Sequence, residues 1–318
     1  MLQVSHIREN SEDIIKLLAI RNLDAKLMIE DVLNFDEERR QLQTKLDSTK
    51  AEMNSISKEI GNLFKSGQAE KANELKAKTS ELKEIIKFLE QELNEKAEAL
   101  NTLLYKIPNV PNPIVPKGNS DEDNLETLRD GKMPKLNDSA LPHWELAKKY
   151  DIIDFELGNK IAGAGFPVYK GKGARLQRAL IAYFLDKNTD AGYSEYQLPH
   201  LVNEASGFGT GQLPDKEGQM YHVTEDNLYL IPTAEVPGTN IFRDVIVDES
   251  DLPIGITGYT PCFRREAGSY GAHVRGLNRL HQFDKVEIIR VEHPTKSYEA
   301  LDNMVSHVQE ILKELKLP

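Results

Sequence analysis

The N-terminal third of the chain carries an apolar repeat that restricts its fold more than any other feature. From Met28 to Leu63, apolar side chains recur at alternating steps of four and three residues, with two exceptions, and a second run extends from Leu75 to Leu103. A sustained 3.5-residue repeat is typical of coiled-coil helices, and no proline interrupts either run. The repeat therefore predicts two long helices within residues 25–105.

A short polar segment, Lys65-Ser66-Gly67-Gln68, separates the two runs. A connection this short makes consecutive helices antiparallel neighbours, so the runs form one helical hairpin. At about 1.5 Å per residue, the first helix reaches roughly 50 Å. The sequence thus predicts an N-terminal arm.

The charges of the arm do not decide its function. Residues 21–105 contain 14 Lys or Arg and 17 Asp or Glu. A dimerisation or scaffold coil and an RNA-binding arm are both compatible with this balance. An RNA-binding arm needs its positive side chains on one face. The candidate lysines are Lys45, Lys58, Lys65, Lys71, Lys76, Lys78, Lys83 and Lys87.

The arm is followed by a proline-rich segment with four prolines between Pro108 and Pro116. Proline cannot continue a helix and favours an extended, stiff connector. We therefore predict an arm domain over 1–107, a linker over 108–118 and a second domain over 119–318.

The second domain has a different pattern. A helix is predicted from Gly173 to Asn188, and short strand-like runs follow over 228–231, 259–264 and 280–291. The apolar stripe of the helix consists of Leu176, Leu180, Ile181, Phe184 and Leu185. Because the runs show no regular βαβ alternation, we expect an antiparallel sheet with flanking helices, giving an α+β fold for the chain.

Composition excludes several classes of protein. The single cysteine, Cys262, rules out an internal disulfide framework and a cysteine-based zinc site, and we expect it to be a small buried side chain. The net charge of −11 argues against a nucleic-acid coat protein.

The sequence contains no P-loop, no G-x-G-x-x-G, no H-E-x-x-H and no G-x-S-x-G motif. Without an apolar run long enough for a membrane span, or a signal peptide, we expect a cytoplasmic protein.

Three segments of the second domain carry charged and aromatic side chains suited to chemistry: 231–235, 260–268 and 275–287. In a strand, residues i and i+2 point to the same face. This spacing would place Arg264 with Glu266, Thr233 with Glu235, and Phe283 with Glu287, provided that each segment is extended. A cation, carboxylates and a ring on one sheet surface could hold a nucleotide and an amino acid.

These segments resemble a known enzyme family. Residues 263–271, FRREAGSYG, with 275–283, RGLNRLHQF, resemble the second signature motif of class II aminoacyl-tRNA synthetases in its seryl form. Thr233-Ala234-Glu235 resembles the serine-binding segment of that family, and the helix from Gly173 with the segment 196–199 resembles the first motif. His143-Trp144-Glu145-Leu146 and residues 210–214 also fit, and the arm resembles the tRNA-binding domain of the family.

The resemblance implies a role for each matching residue. Arg264 and Glu266 would be the catalytic residues, with Arg264 on the α-phosphate of ATP and Glu266 accepting from the adenine amino group. The ATP-binding residues would be Arg264, Arg265, Glu266, Arg279 and Phe283, with Phe283 stacked on adenine and the role of Arg265 open. The serine-binding residues would be Thr233, Ala234, Glu235, Arg264 and Glu287. No metal ligand is assigned.

The resemblance also implies the reaction and its participants. L-serine would be activated with ATP and Mg²⁺ to seryl-adenylate and transferred to tRNA(Ser), and tRNA(Sec) is left open as a second RNA. The first motif would form a homodimer, and no membrane is involved. The main alternative is a non-catalytic RNA-binding or scaffold protein of the same fold, but such a protein would not require these side chains.

The family continues beyond the position of Pro318 into a third motif with an essential arginine. A shortened chain, an incomplete gene product and a remaining segment supplied elsewhere are all left open. In each case we expect residues 1–318 alone to bind substrates weakly and to catalyse little.

Overall fold

The computed structural model describes residues 1–215, 217–266 and 275–318. They form two compact units, Met1–Arg129 and Asp130–Pro318. Within the described ranges, no helix is both long and apolar enough to cross a membrane.

The first unit consists of three long helices, α1 Val4–Ala19, α2 Lys26–Lys65 and α3 Ala69–Leu104. The predicted antiparallel hairpin of α2 and α3 is confirmed. Every apolar position of the predicted repeat is buried or half-buried on both helices. With its 40 residues, α2 spans about 60 Å, somewhat more than predicted.

The turn between α2 and α3 consists of the three residues Ser66, Gly67 and Gln68. Gly67 has a φ of +76°, a left-handed conformation that glycine adopts without strain. The Ser66 and Gly67 N–H groups donate to carbonyls of the last turn of α2, so the helix ends without losing these hydrogen bonds.

The apolar interior of the arm has two parts. In the middle, Leu46 of α2 packs against Ile86 and Leu89 of α3. Toward the other end, α1 covers the start of α2 and the end of α3, where the buried residues are Ile7, Ile14, Leu18, Ala25, Ile29, Val32, Leu100, Leu104 and Ile107. Burial of each large aliphatic side chain contributes about 1.5–3 kcal/mol, so α1 strongly stabilises this end of the hairpin.

A buried carboxylate ties α1 to α2. Asp36 is 1% exposed, and its oxygens lie 3.2 Å from Arg8 Nε of α1, 3.0 Å from Arg39 Nη2 and 3.1 Å from Arg40 Nε. A buried carboxylate needs such partners because its desolvation costs several kcal/mol. Neither α1 nor this cluster was predicted from the sequence.

Between Leu104 and Asp121, a range that the structure describes in full, the chain forms no helix or strand. This agrees with the proline content of the segment. A single 3₁₀ turn, Asp121–Asp123, follows. The predicted domain bounds stay a prediction.

The second unit mixes short helices and strands. Its helices are α4 His143–Lys149, α5 Phe155–Ile161, α6 Lys172–Asp190, α7 Glu204–Gly209, α8 Glu235–Asn240 and α9 Ser297–Glu314. Its strands are β1 Ile153–Asp154, β2 Val168–Tyr169, β3 Ser194–Glu195, β4 Leu201–Asn203, β5 His222–Val223, β6 Leu228–Leu230, β7 Ile254–Phe263 and β8 Gln282–Val291. The predicted α+β class is confirmed.

The longest strands, β7 and β8, form an antiparallel pair from Ile254↔Val291 to Phe263↔Gln282. Strands β4, β6 and β5 form a second antiparallel sheet, and β1 pairs with β2. The expected antiparallel sheet is thus present, with one parallel addition, in which the short strand β3 pairs with β7. Only two residues of β3 take part, so this pair extends the sheet at its edge.

Helix α6 packs against one face of the β7–β8 pair, on the side of Thr257 and Asp284. Asn188 Nδ2 donates to Thr257 Oγ1 at 2.8 Å, and Gln177 donates to Asp284. Of the predicted apolar stripe of α6, four residues are half-buried, whereas Leu176 is 56% exposed. Since side chains alternate along a strand, the even residues of β7 and the odd residues of β8 face the opposite side, where the candidate site lies.

Candidate functional site

Three polar side chains meet on the face of the β7–β8 pair that α6 leaves free. Lys285 Nζ lies 2.7 Å from Glu287 Oε2 and donates to Thr233 Oγ1 at 2.9 Å, and Thr233 Oγ1 donates to Glu287 Oε2 at 3.1 Å. Thr233 is 4% exposed, whereas the side chains of Lys285 and Glu287 are 35% and 21% exposed. The cluster can therefore meet a small polar molecule from solvent.

Backbone contacts bring Thr233 to these strands. The N–H of Phe263, the last residue of β7, donates to the carbonyl oxygen of Ile231 at 2.8 Å. The fully buried Ile231 and Val236 anchor the segment in an apolar cluster with Val202. The chain between these anchors must therefore run beside the end of β7.

The prediction that Thr233 and Glu235 share an extended face is wrong. Ala234 has helical dihedral angles and is fully buried, and α8 begins at Glu235. Glu235 is exposed, and its N–H donates to Thr233 Oγ1 at 3.3 Å. The hydroxyl of Thr233 thus contacts the start of a helix, which ends the extended segment at this point.

A cavity of about 520 Å³ opens beyond the ends of the same two strands. Its lining residues are Arg264, Glu266, Leu277, Asn278, Arg279, Leu280 and Phe283. The guanidinium carbon of Arg264 lies 5.1 Å from the centre of the Phe283 ring. Arg279 Nη1 donates to Glu266 Oε2 at 2.9 Å, with side-chain exposures of 54% and 9%.

The prediction that Arg264 and Glu266 share a strand face is also wrong. Strand β7 ends at Phe263, and Glu266 has a φ of +48°. The N–H of Arg264 still donates to the carbonyl of His281 at 2.9 Å, so one further hydrogen bond joins the two chain segments. Arg264 and Glu266 come together in one cavity because the chain turns, and not because a strand continues.

The remaining predicted positions differ in their surroundings. Phe283, Lys285 and Glu287 alternate along β8, so the predicted common face of Phe283 and Glu287 is confirmed. Arg265 is exposed and does not line the cavity, although its N–H donates to the carbonyl of Gln219 at 2.9 Å. Residues 267–274, which include part of the segment that resembles the second signature motif, lie outside the described residues.

Cys262 is fully buried beneath the cluster, as expected. Burial raises the pKa of its thiol, because a thiolate would be poorly solvated there. The thiol therefore stays protonated, which disfavours a role as nucleophile.

Lys285 was not predicted as a site residue, although its position between Phe283 and Glu287 on one strand face could have indicated it. Among the described residues, no three His, Cys, Asp or Glu side chains gather to hold a metal ion. The described side chains by themselves thus do not make a metal site.

Comparison with known proteins assigns both parts of the chain. Residues 1–111 match the family described as Seryl-tRNA synthetase N-terminal domain. Residues 221–318 match the family described as tRNA synthetase class II core domain (G, H, P, S and T).

Whole-chain relatives agree with these matches. The Serine--tRNA ligase of Salinibacter ruber is 44% identical over 318 residues, which cover 100% of this chain and 74% of the relative. The protein of the same name from Clostridium tetani is 42% identical and covers 100% of this chain and 75% of its own length.

Two solved structures show the same architecture. The seryl-tRNA synthetase of Pyrococcus horikoshii complexed with ATP is similar with a TM-score of 0.84 and 30% identity, over 99% of this chain and 75% of that one. The cytoplasmic Serine-tRNA ligase of Naegleria fowleri in complex with AMP has a TM-score of 0.80 and 27% identity, over 99% and 73% of the two chains. From its sequence, its fold and its relatives, the chain belongs to the seryl-tRNA synthetases, the serine–tRNA ligases of class II.

Proposed function

We propose that the chain activates L-serine with ATP to seryl-adenylate and transfers the seryl group to tRNA(Ser). The position of Arg264 is the observation that carries this proposal. Its Nε donates to the carbonyl of Pro232, next to Thr233, at 3.4 Å, while its guanidinium lies over the Phe283 ring. Arg264 therefore stands between the polar cluster and the cavity, where an amino-acid carboxylate and an α-phosphate would meet.

The polar cluster is the proposed serine subsite. Glu287 and Glu235 would bind the serine ammonium and hydroxyl, with Thr233 and the buried backbone of Ala234 forming the wall. Lys285 would fix the Glu287 carboxylate. Alanine lacks the hydroxyl, so the carboxylate that would accept from it would lose that hydrogen bond once the bound amino acid covers it, at a cost of about 1–3 kcal/mol.

The cavity beyond the strands is the proposed ATP subsite. Phe283 would stack on adenine, Glu266 would accept from the adenine amino group, and Arg264 would bind the α-phosphate through its permanently charged planar fork. Arg279 would contact the phosphates after it leaves Glu266. Arg265 belongs to the proposed ATP-binding residues without a stated contact, since it lies outside the cavity.

The proposed reaction needs no covalent bond to the protein. A serine carboxylate oxygen attacks the α-phosphorus, a new P–O bond forms, and the bond to the β-phosphate bridging oxygen breaks, so that pyrophosphate leaves with the electron pair. The chain supplies orientation and charge neutralisation, chiefly through Arg264. The terminal ribose hydroxyl of tRNA then attacks the seryl carbonyl and AMP leaves.

Mg²⁺ belongs to the proposal only as an ion that ATP brings with it. Magnesium sites commonly combine one or two carboxylates with substrate phosphates, and the described residues gather no set of three carboxylate, His or Cys ligands for it. No step above depends on the ion.

The arm is the proposed tRNA-binding domain, with bounds of 1–107 for the arm, 108–118 for the linker and 119–318 for the catalytic domain. All eight candidate lysines are exposed, which phosphate contacts require. The cytoplasm is the proposed place of action. Whether tRNA(Sec) is a second substrate is decided by charging assays with both RNAs.

A homodimer through α6 and the segment 196–199 is the proposed assembly. In the single chain, Leu176 of α6 and Tyr196 are 56% and 41% exposed. In the proposed dimer, the second copy would cover these side chains.

Exchange of labelled pyrophosphate into ATP by the complete natural protein tests the proposal. Exchange should require serine, with threonine and alanine far weaker. Arg264→Ala should lower turnover about 10²-fold to 10³-fold, because it removes charge stabilisation of the transition state. Glu287→Ala should raise the KM for serine and leave ATP binding largely intact. Preference for another amino acid would refute the proposal, and no exchange with any amino acid would favour a non-catalytic RNA-binding protein.

A further inference from the structure

Helix α4 contacts the chain immediately before the ATP subsite through two rings. His143 Nε2 accepts a hydrogen bond from the N–H of Leu277 at 2.8 Å. The guanidinium carbon of Arg275 lies 5.6 Å from the centre of the Trp144 ring, within the range of a cation–π contact. Since the Leu277 residue is exposed, this N–H would otherwise be bound by water.

The residue between these two contacts fits His143 closely. Gly276 has a φ of +71°, and a Cβ at this position would lie 2.1 Å from His143 Nε2. The conformation favours glycine, and a larger side chain would displace the imidazole of His143. The backbone at Gly276 and Leu277 lies directly against the imidazole ring.

The docked segment leads straight into the ATP subsite. Leu277 lines the cavity of about 520 Å³, as does Arg279, which forms the ion pair with Glu266. The backbone position of residues 275–277 consequently determines the backbone position of Arg279, from which its side chain reaches Glu266. The contacts of His143 and Trp144 with residues 275–277 are called the dock below. Loss of the dock would leave the cavity wall free to move.

We propose that His143 and Trp144 are positioning residues of the ATP subsite, which they serve by docking residues 275–277 and thereby holding Arg279 in place. This inference rests on the proposed function. Neither ring lines the cavity that would take ATP. They act on the nucleotide through the backbone of this segment.

The chain contains its own probe of the dock, because Trp144 is its single tryptophan. In His143→Ala, the emission of Trp144 should shift to the red as Arg275 leaves the ring, and hydrogen exchange of the Leu277 amide should become more than tenfold faster. His143→Gln retains an acceptor near the Nε2 position and should restore slow exchange. Glu145→Gln, an exposed change on the same helix, is the matched control and should change neither signal.

The functional part is tested on the same variants of the complete protein by titration with ATP and, separately, with serine. A lost hydrogen bond of ordinary strength predicts a Kd for ATP raised about fivefold to tenfold in His143→Ala, with the Kd for serine unchanged and with recovery in His143→Gln. A general loss of folding would weaken both ligands and would not be rescued.

Three results would overturn the inference. Unchanged emission and exchange in His143→Ala would show that the dock does not exist. Faster exchange with an unchanged Kd for ATP would show that the dock does not position the subsite. Equal weakening of ATP and serine binding would indicate a merely structural role. If the proposed function fails, the protein should bind ATP without activating serine. Hydrogen exchange of the Leu277 amide would still test the dock in that case.

Discussion

The polar cluster makes a quantitative prediction for Lys285→Met, which keeps most of the side-chain length and removes the ammonium group. Lys285 Nζ contacts two acceptors, Glu287 at 2.7 Å and Thr233 at 2.9 Å. The substitution should raise the KM for serine and lower kcat/KM for serine, because Glu287 loses the cation that fixes it. The KM for ATP should change less than threefold.

The expected loss in kcat/KM for serine follows from the strength of the contact, and the expected loss of stability follows from the exposure of Lys285. A hydrogen bond to a charged group contributes about 1.5–3 kcal/mol, which corresponds to about a 10-fold to 100-fold loss in kcat/KM. Lys285 is 35% exposed, so the stability cost should be far smaller, at most about 1 kcal/mol. The substitution should therefore separate catalysis from stability.

Serine-dependent pyrophosphate exchange and thermal unfolding of the same samples measure the two effects. Lys170→Met is the matched control, since Lys170 is 37% exposed and bridges Asp151 at 2.6 Å and Asp154 at 3.4 Å away from the cluster. It should leave exchange unchanged. If Lys285→Met raises the KM for ATP as much as that for serine, or leaves serine use intact, the assignment of the cluster to serine is wrong.

Four further predictions concern the arm, the assembly and the thiol. Asp36→Ala should lower the free energy of unfolding because it removes the buried partner of three arginines, and the loss should be only about 2 kcal/mol because these half-exposed arginines can return to water. An unchanged melt in far-UV circular dichroism, relative to the exposed control Asp31→Ala, would contradict this. Residues 25–105 alone should give a strongly helical spectrum and a cooperative melt, not a random-coil spectrum. Light scattering at micromolar concentration should give twice 35.9 kDa, and a clean monomer would count against the α6 interface. Because burial raises the pKa of the Cys262 thiol, alkylation at mildly alkaline pH should require unfolding, and rapid labelling of the native protein would refute that burial.

The arm could be predicted because its stability depends on a periodic pattern that sequence displays directly. Every apolar position of the repeat from Met28 to Leu63 is buried or half-buried. Helix α1 was missed because its apolar residues, such as Ile7, Ile14 and Leu18, form too short a series to stand out. The Asp36 cluster was missed because Arg8 and Asp36 are distant in sequence, and only the fold brings them together.

The site was predictable in residue types and less so in geometry. Strand alternation correctly joined Phe283 and Glu287, since β8 is regular. It failed at Glu266 and at Glu235, where the chain turns with a positive φ or enters a helix. Both failures lie beyond the ends of strands, where local hydrogen bonds and not pleat alternation decide the direction of side chains.

Because a single turn, Ser66-Gly67-Gln68, joins the two helices, the length of the arm can change without any change at its base. Its two helices run in opposite directions from this turn, so removing seven residues from each side of it would leave the remaining heptad partners matched. Each such paired deletion should shorten the arm by about 10 Å, while the apolar layer beneath α1 and the Asp36 cluster stay unchanged. A deletion in one helix alone would shift every facing pair out of register. The reach of the arm and the stability of its base are thus separate variables, and selection can alter one without the other.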